Sequence, residues 1–148
     1  MCPYLFMRIR IDYISVLTPC YFKGLMTDEA YIDYYTAIAD ASSYPVLIYC
    51  APGFVNGMYV SAEAMEVLAD HPNIAGVKDT TPDQMAAYMD AVGGRDDFMV
   101  ISGKLSNIMY ALEHGGPGGI ISSSNYFPNA CAKLTKIFRE RGAEAAKE

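Results

Sequence analysis

The stretch Asn73-Ile74-Ala75-Gly76-Val77-Lys78-Asp79-Thr80 decides how this chain is interpreted. Residues 73–77 are mostly apolar or small and predict a buried parallel strand, which ends at a lysine and runs into a Thr80-Thr81-Pro82 turn. Folds with parallel strands place their reactive groups at the carboxyl ends of those strands. Lys78 would therefore lie at the reactive edge of the sheet.

A lysine at this position is a candidate nucleophile. Partial burial removes water from the ammonium group, which lowers the pKa of a lysine and favours its neutral, nucleophilic form. That form condenses with a ketone or keto acid to give a Schiff base. Taken alone, a solvated lysine at the rim of the sheet is the commoner explanation. Features elsewhere in the chain are needed to choose between a nucleophilic Lys78 and a solvated one.

Strands and helices alternate strictly on both sides of this segment. Four further strands are predicted, at residues 12–18, 45–49, 97–101 and 118–122. Helices are predicted at residues 27–42, 61–70, 82–92, 104–113 and 129–146. This order implies an α/β fold with about five parallel strands and right-handed crossovers. It is compatible with a doubly wound sheet and with a piece of a barrel.

Composition limits the classes of function. The chain has 148 residues, 52% hydrophobic and 19% charged, which is typical of one globular domain. Its net charge of −6 argues against nucleic acid and anionic membrane as partners. No apolar run approaches the ~20 residues of a membrane span, and the first residues lack the order of a secretory signal, so we expect a cytoplasmic protein.

The cysteines do not form a metal or disulfide pattern. They are scattered and have no histidine at metal-ligand spacing: Cys2, Cys20, Cys50 and Cys131. We interpret them as reduced thiols that mostly pack in the interior.

Every predicted strand ends in polar or reactive groups. These are Thr18, Tyr49, Lys78, Ser102-Gly103 and Ser122-Ser123-Ser124. Because parallel strands end at one edge of the sheet, these groups should gather there. Tyr49, at the end of the preceding strand, could move protons during carbinolamine formation and C–C bond cleavage. The competing interpretation of Tyr49 is a half-buried strand tyrosine.

These strand ends resemble a known family. Tyr49-Cys50-Ala51-Pro52-Gly53 and Gly76-Val77-Lys78-Asp79-Thr80 are similar to paired motifs of the dihydrodipicolinate synthase / N-acetylneuraminate lyase superfamily, which are Schiff-base (class I) aldolases on a (β/α)8 barrel. Further similar segments follow in the family's order: Thr18-Pro19-Cys20-Tyr21-Phe22, Ser102-Gly103, and residues 119–128.

The resemblance implies roles for individual residues. Lys78 would form the imine with pyruvate or another 2-oxo acid, and Tyr49 would be the proton shuttle. Tyr21 matches a tyrosine that reaches a neighbouring subunit's site across a tight dimer interface. Backbone or hydroxyl contacts to the intermediate would come from Gly103, Ile121 and Ser122. The implied reaction needs no metal and no organic cofactor, and its small-molecule partners are a 2-oxo acid and an aldehyde.

The chain also departs from the family. It resembles barrel strands four to eight, so we interpret residues 12–148 as a partial barrel domain and residues 1–11 as an unmatched segment. The first three strands, with a Gly-x-x-Gly-Glu region, have no counterpart. Phe54 stands where the synthases carry an arginine for a second carboxylate, which favours a 2-keto-3-deoxy-sugar-acid aldolase over a dihydrodipicolinate synthase-like enzyme.

The open edges of the partial sheet lower the activity that we expect. They expose unpaired backbone groups and apolar faces, so we expect little turnover from the isolated chain and either a homo-oligomer or a complementary chain as partner. A non-catalytic fragment or degenerate subunit is the alternative. A flavodoxin-like binding or signalling domain ranks last, because it would need an acidic pair at the end of the first strand or a phosphate loop, and only Asp12, at the wrong end of that strand, is available.

Overall fold

The structure is a computed structural model that describes residues 10–147. All of the segment 1–11 except its last two residues lies outside this range, as does Cys2. Four strands form one sheet: β1 Ile14–Leu17, β2 Val46–Cys50, β3 Ile74–Asp79 and β4 Met99–Ser102. The α-helices are α1 Asp28–Ala41, α2 Ala62–Ala69, α3 Met85–Ala91, α4 Ile108–Glu113, α5 Pro128–Arg141 and α6 Ala143–Lys147.

The strand order resolves the ambiguity between a doubly wound sheet and a barrel segment. All pairs are parallel, and the order across the sheet is β1-β2-β3-β4, the same as in the chain. A doubly wound sheet reverses its strand order at a switch point, whereas a barrel adds each strand beside the one before. The predicted α/β architecture with parallel strands is confirmed, and the described residues form a barrel segment.

The fifth predicted strand, 118–122, is wrong as an extended strand. Only Gly119 forms a bridge, with Ser102 of β4. Two residues later the Ile121 carbonyl accepts the backbone N–H of Ser124 at 3.2 Å and its hydroxyl at 2.6 Å. These local bonds begin a 3₁₀ turn at Ser122–Asn125, because serine hydroxyls compete well for nearby backbone groups.

Helix starts follow the side chains that cap them. The Thr27 hydroxyl accepts the Ala30 N–H ahead of α1, and the Ser61 hydroxyl accepts the Ala64 N–H ahead of α2. Two later helices differ from the prediction. The helix expected from 104 begins with a 3₁₀ turn, Leu105–Asn107, and the last helix breaks at Gly142, which has φ 84°.

The core lies between the sheet and its helices. The strand side chains that face the helices pack with two fully buried tyrosines, Tyr35 and Tyr88. The Tyr88 hydroxyl donates to the Val60 carbonyl at 2.6 Å, so its burial leaves no unpaired hydroxyl. Among residues 10–147, no helix is both long enough and apolar enough to cross a membrane.

The other side of the sheet, here called the open face, carries no helix among residues 10–147. Its lower part is an apolar cleft of about 290 Å³, lined by Tyr13, Leu47, Met99, Ile101 and residues 117–120. Its upper part, at the carboxyl ends of the strands, carries the reactive groups. Successive strand side chains alternate between the two sides, so Tyr49 and Lys78 lie on the open face while Cys50 and Asp79 are buried beneath the helices.

Candidate active site

Tyr49 and Lys78 are direct neighbours across the β2–β3 pair. Their Cα atoms are register partners in the parallel ladder. The Lys78 Nζ lies over the Tyr49 ring, 3.9 Å from its centroid. A cation over an aromatic face at this distance is stabilised by the ring quadrupole, which holds the amine above the ring. Both side chains are half-buried. The structure therefore brings together the two residues that the sequence singled out.

Three hydrogen bonds tie the strand ends to one another. Thr18 donates its hydroxyl to the Tyr49 carbonyl at 3.0 Å, which joins the end of β1 to β2. Thr80 donates its hydroxyl to the Cys50 carbonyl at 2.8 Å, which joins β3 to β2. The Gly103 N–H donates to the Asp79 carbonyl at 2.6 Å, which joins β4 to β3. These bonds fix the positions from which the Tyr49 and Lys78 side chains project.

Gly103 fits this position because it has no side chain. A Cβ there would stand 2.1 Å from the Thr80 Cγ2 and 2.7 Å from the Asp79 carbonyl oxygen. Any other residue would push Thr80 away from the Cys50 carbonyl. Gly103 is thus a packing requirement of the site as well as a predicted contact.

A cleft of about 500 Å³ opens above the amine. It is lined by Tyr49, Phe54, Lys78, Thr80, Gly103, Ile120, Ile121, Ser122, Ser124 and Asn125. Five of the six predicted site residues line this cleft. Lys78 is the one charged residue among those lining it, and the other polar groups are hydroxyls and one amide.

Tyr21 is the predicted site residue that the described residues do not bring to the cleft. Its side chain is 74% exposed, and its ring centroid lies 6.4 Å from that of Phe22. The loop that carries it lies against the turn after β2, where Lys23 Nζ donates to the Asn56 carbonyl at 2.9 Å. Tyr21 is not among the residues that line the Lys78 cleft, and its role across a subunit interface stays a prediction.

Sequence reasoning assigned no role to several residues of the cleft. The placement of Thr80 could have been predicted, because it follows Lys78 by two positions and residues two apart in an extended chain point to the same face. Ser124 was expected at this edge as part of Ser122-Ser123-Ser124, although without a role of its own, whereas nothing in the pattern singled out Asn125, which the 3₁₀ turn Ser122–Asn125 brings to the cleft.

A buried acid lies behind the site. Asp79 is fully buried, and its Oδ1 accepts the Thr81 N–H at 2.8 Å, while its Oδ2 has no partner among the described residues. Burial raises the pKa of the Asp79 carboxyl, against the opposing effect of the hydrogen bonds from Thr81. Beside it, burial raises the pKa of the Cys50 thiol to about 11. Both groups support the site from the helix side and do not reach the cleft.

The fold and site define a class of protein: a parallel β/α barrel segment with a lysine and a tyrosine paired at the ends of adjacent strands. Comparison with known proteins agrees. The profile of the Dihydrodipicolinate synthetase family matches residues 6–148. The chain belongs to this family.

Individual relatives are similar at about one third identity. A protein of Emericella nidulans named as a probable mitochondrial 4-hydroxy-2-oxoglutarate aldolase is 34% identical over 137 residues, which are 93% of this chain and 44% of that protein. A 4-hydroxy-tetrahydrodipicolinate synthase of Leptospira biflexa is 34% identical over 140 residues, which are 93% of this chain and 46% of that protein. The two relatives are thus named as an aldolase and a synthase.

Solved structures show the same fold. The E. coli K12 prophage protein YagE, of the dihydrodipicolinic acid synthase family and solved in complex with pyruvate, superposes with a TM-score of 0.80 at 30% identity. The match covers 92% of this chain and 46% of YagE. The chain thus spans just under half the length of the relatives it matches.

Proposed function

We propose that this chain is a lyase or aldolase subunit that forms a Schiff base between Lys78 and pyruvate or another 2-oxo acid. The observation that carries the proposal is the Lys78 amine held over the Tyr49 ring inside a cleft. In this reaction Nζ attacks the C2 carbonyl of the 2-oxo acid, and loss of water gives the imine. In the imine of a 4-hydroxy-2-oxo acid, the C4 hydroxyl gives up its proton, the C3–C4 bond breaks and an aldehyde leaves, while the electron pair of that bond forms a C2–C3 enamine. Protonation of the enamine at C3 and hydrolysis of the resulting imine then release pyruvate and restore the Lys78 amine.

Tyr49 is the proposed proton shuttle. Proton transfer is needed when the carbinolamine loses water and when the bond to the aldehyde breaks. The Tyr49 side chain lies beside the amine at which these steps occur. Gly103, Ile121 and Ser122 line the same cleft and are the proposed contacts to the intermediate. Tyr21, exposed at the mouth side of the sheet, is the residue proposed to serve a neighbouring subunit's site.

The proposed substrate is a 2-keto-3-deoxy-sugar acid. Phe54, which by resemblance stands at the position of an arginine in the synthases, lines the cleft, and this wall offers no cation to a second carboxylate. The hydroxyl and amide groups of Thr80, Ser122, Ser124 and Asn125 suit the hydroxyl groups of a sugar chain. A dihydrodipicolinate synthase-like activity is the weaker alternative on the same grounds.

A second candidate is a non-catalytic subunit that needs a partner chain. It is favoured by the sheet itself, since the described residues supply four strands and one bridge, whereas a closed barrel of this class has eight strands. We expect low turnover from the isolated chain for this reason.

Reductive trapping tests the imine. The full chain is incubated with pyruvate and borohydride, and the intact mass is measured. We expect one reduced pyruvate adduct, which is lost in Lys78→Ala and kept in Lys136→Ala, a control at an exposed lysine of α5. Equal trapping in both variants, or none in the wild type, contradicts imine formation at Lys78.

Turnover separates the two candidates. We expect slow release of pyruvate from 2-keto-3-deoxygluconate by the wild type and none by Lys78→Ala. An imine that forms without any pyruvate release would support the non-catalytic subunit. Absence of both the imine and pyruvate release would contradict the lyase activity and the Schiff base at Lys78.

A further inference from the structure

We propose that Lys104 is a positioning residue of the Lys78 site, because it holds the turn at residues 80–84 that carries Thr80 into the cleft. This role rests on the function proposed above. Lys104 lies two residues after the end of β4 and is half-buried. Its Nζ donates to the Thr81 carbonyl at 3.0 Å. Lys104 is not among the residues that line the cleft, so its effect on a substrate passes through the turn.

The turn depends on Lys104 because Thr81 is fully buried. The Thr81 N–H donates to the Asp79 Oδ1 at 2.8 Å, and the Thr81 hydroxyl accepts the Gln84 N–H at 3.0 Å. Among residues 10–147, Lys104 is the only hydrogen-bond partner of the Thr81 carbonyl. A buried carbonyl that loses its partner raises the free energy of the folded chain, so the turn is expected to open when Lys104 is removed.

The Lys104 amine forms no ion pair in the described part of the chain. A hydrogen bond from a charged donor is stronger than one between neutral groups, which offsets the rotamer freedom that a lysine loses when it is fixed. The amine also acts on Asp79: burial raises the pKa of the Asp79 carboxyl, and Lys104 is among the groups that oppose this rise. A counter-charge for Asp79 is therefore the alternative role of Lys104.

Lys104 acts together with its neighbour Gly103. The Gly103 N–H donates to the Asp79 carbonyl at 2.6 Å, which fixes the peptide group before Thr80. Lys104 fixes the Thr81 carbonyl, on the other side of Thr80. Thr80 itself lies against Gly103, where an added Cβ would stand 2.1 Å from the Thr80 Cγ2. The segment that follows β4 therefore fixes the backbone on both sides of Thr80.

The hydrogen bond that Thr80 donates determines what it can offer to a substrate. Its hydroxyl donates its proton to the Cys50 carbonyl at 2.8 Å. A hydroxyl that has donated its proton keeps only lone pairs, so Thr80 can accept a hydrogen bond from a substrate but cannot donate one. A hydroxyl of a sugar chain can donate to Thr80, whereas a carboxylate cannot. Opening the turn would displace this acceptor and leave Lys78, within β3, in place.

Borohydride trapping with two substrates tests the role of Lys104. The half-saturating concentration for trapping at Lys78 is measured with pyruvate, which has no sugar chain, and with 2-keto-3-deoxygluconate, counting its intact and cleaved adducts together. In Lys104→Met we expect the value for 2-keto-3-deoxygluconate to rise about three- to tenfold, the usual effect of one hydrogen bond, and the value for pyruvate to stay unchanged. Lys133→Met, at an exposed lysine of α5, is the matched control and should change neither value.

Further variants separate positioning from a structural role. In a Thr80→Val background, Lys104→Met should have little further effect on 2-keto-3-deoxygluconate, because the acceptor that Lys104 positions is gone. Lys104→Arg keeps a charged donor and should restore most of the affinity. An effect of Lys104→Met that disappears in an Asp79→Asn background would instead identify Lys104 as the counter-charge of Asp79 and overturn the positioning role.

Hydrogen exchange gives a readout that needs no substrate. The Thr81 amide should exchange faster in Lys104→Met and at the wild-type rate in Lys133→Met. An unchanged rate in Lys104→Met overturns the positioning role. Equal losses of trapping for the two substrates, or no loss for either, also overturn it and leave imine formation at Lys78 standing. Absence of trapping in the wild type contradicts the proposed function and this role with it.

Discussion

Lys78 Nζ lies 3.9 Å from the centroid of the Tyr49 ring, and the two residues are register partners in adjacent parallel strands. The contact follows from the backbone, since parallel register partners project from the same side of a sheet. A contact of this kind contributes about 0.5–1 kcal/mol at a partly exposed site, enough to favour one position of the amine. It explains why a flexible lysine is presented to the cleft in a defined position.

Tyr49→Phe separates the ring from the hydroxyl. The variant keeps the aromatic face under the Lys78 amine and loses only the group proposed to carry protons. We expect exchange of the pyruvate methyl protons with solvent deuterium, followed by NMR, to slow by about 10²–10⁴-fold, the usual contribution of a general acid or base. Borohydride should still trap pyruvate on Lys78. Unchanged exchange in this variant would remove Tyr49 as the shuttle.

Gly103→Ala tests the packing of the strand ends. The new Cβ would meet Thr80 and the Asp79 carbonyl, so we expect a loss of about 1–3 kcal/mol in the free energy of unfolding, measured in urea. Gly53→Ala is the control, because a Cβ there has no atom within 4 Å. Its free energy of unfolding should stay within about 0.5 kcal/mol of the wild type. Similar losses in both variants would show that Gly103 has no special role.

Asp79 should make stability depend on pH in an unusual direction. Its folded-state pKa is raised by burial, so the native state holds a proton that the unfolded state has released. The contribution of Asp79 to the free energy of unfolding is therefore fully present below the ordinary aspartate pKa of about 3.9. It is lost as the pH rises through the raised folded-state pKa. Asp79→Asn removes that fall.

The measurement is urea unfolding at several pH values. The free energy of unfolding of Asp79→Asn, relative to that of the wild type, should increase as the pH rises from about 4 to about 7. Asp90→Asn, at an exposed residue of α3, is the control and should follow the wild type. A constant difference between Asp79→Asn and the wild type across this range would contradict the raised pKa.

The cysteines should differ in reactivity. Cys50 is buried with a pKa raised to about 11, and its Sγ lies 3.6 Å from the Tyr88 hydroxyl oxygen, whereas Cys20 is exposed. Only the thiolate reacts with alkylating agents. In native protein at about pH 8, iodoacetamide should therefore label the Cys20 peptide well before the Cys50 peptide. Denaturant should abolish the difference, and equal labelling without denaturant would contradict the burial of Cys50.

Much of the fold could be predicted because its signals are local. Thr27 and Ser61 stand at the helix starts as capping residues, and their hydroxyls accept the expected N–H groups. The Tyr49–Lys78 contact also followed from sequence, since both residues end apolar strands and parallel strands share an edge. These features depend on a few neighbouring residues or on one strand pair.

What could not be predicted depends on competition between local and distant bonds. Residues 118–122 have the composition of a strand, yet beyond the Gly119 bridge the Ile121 carbonyl bonds to Ser124. The sequence pattern does not determine whether the Ile121 carbonyl accepts a hydrogen bond within a turn or from a neighbouring strand. The same turn brings Asn125 to the cleft beside Ser124, and only Ser124 was expected at this edge of the sheet. The role predicted for Tyr21, at a neighbouring subunit's site, stays a prediction.

The most direct measurement locates the trapped adduct. The wild-type chain is reduced with borohydride in the presence of pyruvate and digested, and tandem mass spectrometry identifies the modified residue. The account predicts one reduced adduct, on the Lys78 peptide and in no comparable yield on Lys104 or Lys136. An adduct spread over the surface lysines, or one that leaves Lys78 unmodified, would contradict it.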